Sequence, residues 1–158
     1  MEGVIYRDFE DSDLDWVLAA LVEGTLATLP SERAAASDRE ILKREARADF
    51  DRFHYQAKKP DRITLAWRND QRIGLVWITT SMPFRDEEHK AWLMEIYVVP
   101  EARGQGVAKR LMAQAEDWAR AHGAEEVWLN VGSGNDKALG LYESRGFHIE
   151  TMHLFKKL

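Results

Sequence analysis

The chain has 158 residues, 45% of them hydrophobic and 31% charged, which suffices for one domain with a core of its own. Its 22 Lys and Arg against 27 Asp and Glu leave a formal charge of −5, which argues against general nucleic-acid binding, because that binding is driven by neutralising phosphates with basic side chains. Cysteine is absent, so disulfides, thiol nucleophiles and cysteine-based metal sites are excluded. No apolar run approaches the roughly 20 residues of a membrane span. Met1-Glu2-Gly3-Val4 lacks the charged and apolar regions of a signal peptide. The expectation is a cytoplasmic protein without membrane association, with residues 1–158 as a single domain.

Val4-Ile5-Tyr6-Arg7 reads as a first strand, and Leu14, Val17, Leu18 and Leu21 form a helical stripe that Asp11 or Ser12 can cap. Residues 25–36 contain Pro30 and have no clear period, so a mobile loop is expected there. Ser37-Asp38-Arg39-Glu40 reads as a capping box opening a second helix, with Ile41, Leu42, Ala46, Phe50, Phe53 and Ala57 as its buried stripe and Lys59-Pro60 as its end. The period then changes to two. Arg62–Arg68 and Arg72–Thr79 flank Asn69-Asp70-Gln71 and predict a β-hairpin. Ser81–Lys90 is polar and reads as a second loop, with Asp86-Glu87-Glu88 as its solvated acidic tip. Ala91–Val99 is the next strand, and Gln105–His122 a helix with Ala108, Leu111, Met112, Ala115 and Ala119 on one face, stopped by Gly123. Residues 126–131 read as a strand, Gly132-Ser133-Gly134 as a turn, Asp136–Arg145 as a helix and Phe147–Phe155 as a last strand. This order predicts an α/β fold, a mixed sheet with helices on both faces. Trp67, Trp77, Trp92 and Trp128 fall on strands and are expected mostly in the core. His54, His89, His122, His148 and His153 have no metal-like spacing, so no metal site is expected.

From the end of the fourth strand pattern into the following helix runs Ile96-Tyr97-Val98-Val99-Pro100-Glu101-Ala102-Arg103-Gly104-Gln105-Gly106-Val107-Ala108-Lys109. A strand that meets a proline, an arginine and two glycines at a helix start presents several backbone N–H groups at a positive helix end, which is an anion site. A Walker A loop requires a Gly-Lys-Ser/Thr run, and the chain has none. A dinucleotide fingerprint requires a third glycine where Lys109 stands, and an acidic ribose ligand at a strand's C-terminal end, whereas Glu125 and Glu126 stand at a strand's start.

Arg103-x-x-Gly106-x-Ala108 resembles the acetyl-CoA signature of the GNAT acetyltransferases, and Asn135, Ala138, Leu141-Tyr142 and Gly146-Phe147 resemble the second signature of that family, in the expected order. The resemblance is strong over residues 90–150, while the first 80 residues match only in the order of their elements. It implies a GNAT-like fold: a mixed, mostly antiparallel sheet with a splayed strand pair at the cofactor site. It also implies acetyl-CoA as cosubstrate. The N–H groups of Gly104, Gln105, Gly106, Val107, Ala108 and Lys109 would hold the pyrophosphate, with Arg103, Lys109 and Arg110 raising the local potential. The backbone of Ile96, Tyr97 and Val98 would pair with the pantetheine arm beside a β-bulge. Asn135 would contact the cofactor, cap the helix that follows it, or do both. Asn130 is a weaker candidate, since a satisfied strand asparagine explains it as well.

The implied activity is an N-acetyltransferase that moves acetyl to a primary amine, by direct attack in a ternary complex. A small-molecule acceptor is expected. A peptide or protein amine, or a non-catalytic acyl-CoA-binding module, is the alternative. Only about one amine in a few thousand is neutral at pH 7, and the leaving thiolate needs a proton or a donor. Tyr142 matches the family tyrosine that points at the CoA sulfur, as general acid. Glu95 interrupts an apolar strand, where a carboxylate is costly unless paired or solvated. It is a candidate base acting through water, or an anchor for a cationic amine, or a solvated glutamate with no role. A homodimer through the last strand is implied by the resemblance alone.

Overall fold

A computed structural model describes residues 3–81, 89–132, 134–152, 154 and 156. The acidic tip Asp86-Glu87-Glu88, Ser133 of the expected turn, and His153 and Phe155 of the expected last strand lie outside the described residues. Among the described residues, five strands, β1 (Val4–Asp8), β2 (Asp61–Arg68), β3 (Gln71–Thr79), β4 (Lys90–Val98) and β5 (Glu126–Trp128), form one sheet in sequence order. The first three pairings are antiparallel and β4–β5 is parallel. Asn69 and Asp70, with φ of 48° and 60°, make the tight turn of the β2–β3 hairpin, the left-handed pair that matches strand twist.

Helices α1 (Leu14–Thr28) and α3 (Arg39–Phe50) cover one face. There Val17, Leu21, Phe50 and Phe53 pack on Ile63, Leu65, Leu75 and Trp77. Helices α4 (Val107–Ala121) and α5 (Asp136–Glu143) lie on the other, where Val107, Leu111, Met112, Ala115 and Tyr142 pack on Val76, Ile78, Leu93 and Val98. No helix among the described residues is long and apolar enough to cross a membrane.

Several expectations change. Residues 25–36 are mostly helical: α1 runs to Thr28, and α2 (Ser31–Ala36) follows Pro30. The stretch has no apolar period because α2 buries nothing, and its alanines favour helix without needing a core face. Asp38, not Ser37, caps α3, its carboxylate accepting from the N–H groups of Glu40 and Ile41. On that helix Ile41 is exposed rather than buried, and a π-type turn (Asp51–Tyr55) carries Phe53 into the core. Residues 147–152 form no strand, and β5 stops at Trp128 rather than 131, so only three residues of edge are available for a further strand to pair with.

Asp13 ties β1, α1 and β3 together. Its fully buried carboxylate accepts from Arg7 Nη1 and Nη2 at 3.0 Å each, from Arg72 Nε at 2.8 Å and from the Glu10 N–H at 3.0 Å. The two guanidiniums also lie over the Trp67 ring, at 4.3 and 4.5 Å from its centroid. Burial alone would raise the Asp13 pKa, but the Glu10 N–H, Arg72 and Arg7 together hold it below the usual carboxylate value. Replacing Asp13 by Ala leaves two like charges over one ring. The expected cost is about 2 kcal/mol or more, read as a lower urea midpoint at pH 7.

Candidate active site

The site is organised by an irregularity in β4. Trp77 pairs with Glu95 and Ile78 with Leu93, so Met94 is an extra residue, a β-bulge. Strand side chains alternate faces, and one inserted residue reverses the alternation beyond it. Leu93 faces α4, and without the bulge Glu95 would share that face. With it, Met94 and Glu95 both face α1 and α3, while Ile96 and Val98 return to the α4 face and Tyr97 packs near Trp16 of α1, at 6.3 Å between ring centroids.

The second irregularity is the short pairing of β4 with β5. It covers Lys90–Trp92 against Glu126–Trp128 and then stops, while β4 continues to Val98. Beyond Trp92 that edge of β4 has no strand partner among the described residues, so the backbone of Ile96, Tyr97 and Val98 borders an open slot. This is the splayed pair that the sequence implied.

At the end of β4 the chain makes a single 3₁₀ turn (Pro100–Ala102) and enters the glycine loop. Gly104 and Gly106 have φ of 74° and 80°, left-handed values that glycine adopts without steric cost. Gly106 is the N-cap of α4 and offers no side-chain cap, so the first N–H groups of α4, from Val107 onward, keep free donors at the positive helix end. An uncapped helix start with an open strand edge leading to it fits a ligand with a pyrophosphate and an extended amide-bearing arm. Ala108 is partly buried, and Lys109 and Arg110 are exposed beside it. Arg103 and Gln105 have structural work as well: Arg103 Nε donates to the Val98 carbonyl at 2.9 Å, and Gln105 bridges the Glu101 carbonyl and Arg68.

Asn135 is the N-cap of α5, its side chain accepting from the Ala138 N–H at 3.2 Å. The helix it starts carries Tyr142 to the slot from the α4 side, buried to 8% exposure and packed on Phe147 at 5.8 Å. Glu95 reaches the same region from the opposite face. The two groups interact: burial first, and then the Glu95 charge, push the Tyr142 phenol up to about 12. Burial also pushes the Glu95 carboxyl from 4.5 up to about 8, opposed by the Ile96 N–H that donates to its Oε1 at 3.0 Å. Asn130 lies beyond β5, exposed and apart from the strand pairing.

Among the described residues, two of the hollows that border the sheet bear on the site. The larger, about 570 Å³, lies at the β2–β3 turn among Trp16, Arg68, Arg72 and Glu101, and includes neither Glu95 nor Tyr142. The smaller, about 200 Å³, lies between α1, α3 and the bulge, with Glu95, Trp77, Met94 and Leu21 in its wall. Of these two, only the smaller reaches the Glu95 carboxylate. Glu45 and Asp49 of α3 also line it. Burial, and then the neighbouring Glu45, raise the Asp49 pKa, with Arg52 opposing. Sequence reasoning missed Glu45 and Asp49, an acidic i, i+4 pair of α3, and Gly24, a helix-interior glycine in contact with Glu95. The glycine inside an apolar helical stripe was the one available signal. Among the described residues, no group of three His, Cys, Asp or Glu side chains is placed to hold a metal ion.

The fold superposes on the crystal structure of the PaiA N-acetyltransferase of Thermoplasma acidophilum, in complex with coenzyme A, at a TM-score of 0.73 and 20% identity over 95% of this chain and 92% of that one. The acetyltransferase (GNAT) family model matches residues 28–147, and the chain belongs to that family. It is 32% identical over 107 residues to mycothiol acetyltransferase of Corynebacterium glutamicum, covering 63% of this chain and 34% of that protein. It is 33% identical over 109 residues to an uncharacterized N-acetyltransferase of Mycobacterium tuberculosis H37Rv, covering 66% of this chain and 65% of that one. The chain thus spans between about a third and two thirds of the length of these curated relatives.

The raised Glu95 pKa carries a stability consequence. Between 4.5 and about 8 the folded chain keeps a proton that the unfolded chain has lost. Stability therefore falls as pH rises through that window, by an amount of order a few kcal/mol at full loss. Glu95→Gln is expected to raise Tm relative to the parent above pH 8, with the gain shrinking toward zero near pH 4.5. Paired thermal scans from pH 4.5 to 9 check it.

Proposed function

We propose that this chain is an acetyl-CoA-dependent N-acetyltransferase acting on a primary amine of a small cationic molecule, by direct attack in a ternary complex. The observation that carries the reading is the convergence of Glu95 and Tyr142 on one slot from opposite faces of the sheet, at the point where β4 loses its strand partner. Acetyl-CoA would supply the activated acyl group, a thioester carbonyl. The PaiA protein in complex with coenzyme A supports that choice of ligand.

The chain's own residues divide the work. The N–H groups of Gly104, Gln105, Gly106, Val107, Ala108 and Lys109 hold the pyrophosphate, with Arg103, Lys109 and Arg110 adding positive potential against the net charge of −5. The free edge of Ile96, Tyr97 and Val98 pairs with the amide-bearing arm, and Asn135 fixes the start of α5 beside it. Glu45 and Asp49 draw an ammonium group into the cavity, whose volume of about 200 Å³ supports a small acceptor over a peptide chain.

Glu95 then removes one ammonium proton, directly or through water, and the neutral nitrogen attacks. With a pKa of about 8 the carboxylate matches an amine far better than an ordinary glutamate would. The nitrogen–carbon bond forms as the carbon–sulfur bond breaks. Tyr142, a phenol that stays protonated across the working pH range, donates its proton to the departing sulfur, the acylated nitrogen releases its second proton to solvent to become the neutral amide, and the proton held by Glu95 returns through solvent to restore the phenol.

The test is thiol release from acetyl-CoA with a panel of monoamines, diamines and amino sugars, beside a lysine peptide. Tyr142→Phe is expected to lower kcat by about 10²-fold or more while acetyl-CoA binding is kept. The parent kcat/KM is expected to rise with pH through about 8, following ionisation of Glu95. Asp49→Asn is expected to raise KM for cationic amines and leave KM for acetyl-CoA unchanged. Tight acetyl-CoA binding with no turnover on any amine would indicate the binding module instead, and preference for the peptide would move the acceptor class.

A further inference from the structure

Gly24 stands inside α1, buried, about one turn before its C-terminal end at Thr28 and still within the hydrogen-bonded interior. Interior glycine is unfavourable in a helix relative to alanine, so its presence calls for a reason. Helical φ needs none, but the space does. A Cβ built on Gly24 would lie 2.5 Å from Cδ and 2.6 Å from Oε1 of Glu95, with Oε2 closer still. All three nearest atoms belong to that one carboxyl. The end of the Glu95 side chain occupies the volume that any other residue at position 24 would fill.

We propose that Gly24 is a positioning residue for the proposed base: by lacking a side chain it seats the Glu95 carboxyl against α1, at the wall of the acceptor cavity. The proposal rests on the reading of Glu95 as base. Three contacts define the seat: the missing Cβ of Gly24, the Ile96 N–H on Oε1, and the bulge at Met94 that turns Glu95 toward α1. Filling that space with a Cβ displaces the carboxyl first, because the nearest obstructing atoms are the far end of a flexible side chain rather than backbone.

This separates positioning from folding. Gly24→Ala improves the helix former at an interior position, so the variant is expected to hold or raise its Tm at pH 7 while losing turnover. Misplacement of a catalytic group by about 1 Å costs on the order of 10²-fold, and a loss of that order in kcat is expected, with acetyl-CoA binding unchanged. The titratable groups around Glu95 are Tyr97 on β4, Tyr142 on α5, and Glu45 and Asp49 on α3. None of them changes, so a move of the acid limb of kcat/KM reports on Glu95 itself. That limb is expected to fall from about 8 toward the ordinary value of 4.5 as the carboxyl is pushed toward water.

The experiment compares the parent chain, Gly24→Ala, Glu95→Gln, the double variant of these two, and Gly24→Ala with Glu95→Asp. The expected results are a Gly24→Ala enzyme with intact Tm, low kcat and a lowered acid limb; no further loss when Gly24→Ala is added to Glu95→Gln; and partial recovery of kcat with the shorter aspartate, which clears the new Cβ. Unchanged kcat and pH profile in Gly24→Ala, or an equal loss in the Glu95→Gln background, overturns the inference while leaving the base intact. Full activity in Glu95→Gln alone overturns the base and the inference with it. If Gly24→Ala lowers Tm and the aspartate restores neither Tm nor kcat, Gly24 is structural only and the inference fails.

Discussion

One inserted residue in β4 determines where the chemistry can stand. A regular strand would place Glu95 on the same face as Leu93, under α4, where Leu111 and Met112 would surround an ionisable group with hydrocarbon. The bulge at Met94 reverses the alternation, so the carboxyl meets α1 and a cavity instead, and the next residues resume their core positions. The same strand then outruns its parallel neighbour, which stops after Trp128. A slot opens at the sheet, bordered by an unpaired strand edge, with Tyr142 on one side and Glu95 on the other. Neither side chain could serve the slot if β4 were straight and fully paired.

The features that make the site possible each work against stability. An interior glycine weakens α1, a carboxyl held at a pKa of about 8 penalises the folded state at neutral and alkaline pH, and an uncapped glycine starts α4. Concentration of such costs in one region is what a preorganised site requires. The compensation lies elsewhere. Phe50, Leu75 and Trp77 close one core and Leu111, Met112 and Val107 the other, and the Asp13 carboxylate joins Arg7 and Arg72 at the far end of the sheet. The sheet is therefore anchored at its β1 side and opened at its β5 side.

Legibility followed the nature of each signal. The second half of the chain was readable because its signals are local: Gly104 and Gly106 need left-handed φ, Asn135 caps within three residues, and α4 shows its buried face at helical spacing. The first half was less readable because its elements depend on partners. Helix α2 buries no residue and so shows no period, and Phe53 reaches the core only through a π-type turn that changes the phase of the stripe. Residues 147–152, expected to begin a last strand, form none, since β5 offers only three residues of edge. Glu95 was conspicuous as a charge in an apolar run, but which face it takes depends on a bulge that leaves no mark in composition.

By itself the sequence determined the fold class, the two-glycine loop at a helix start and the presence of Glu95 and Tyr142 as ionisable candidates, because each of these rests on residue type and short spacing. The tertiary structure alone decided that Glu95 and Tyr142 approach one slot from opposite faces, that Glu45 and Asp49 join the same cavity, and that Gly24 makes room for a carboxyl 71 positions further along the chain. Those relations depend on strand register and helix packing, and residues distant in sequence carry no local trace of the neighbours that packing will give them.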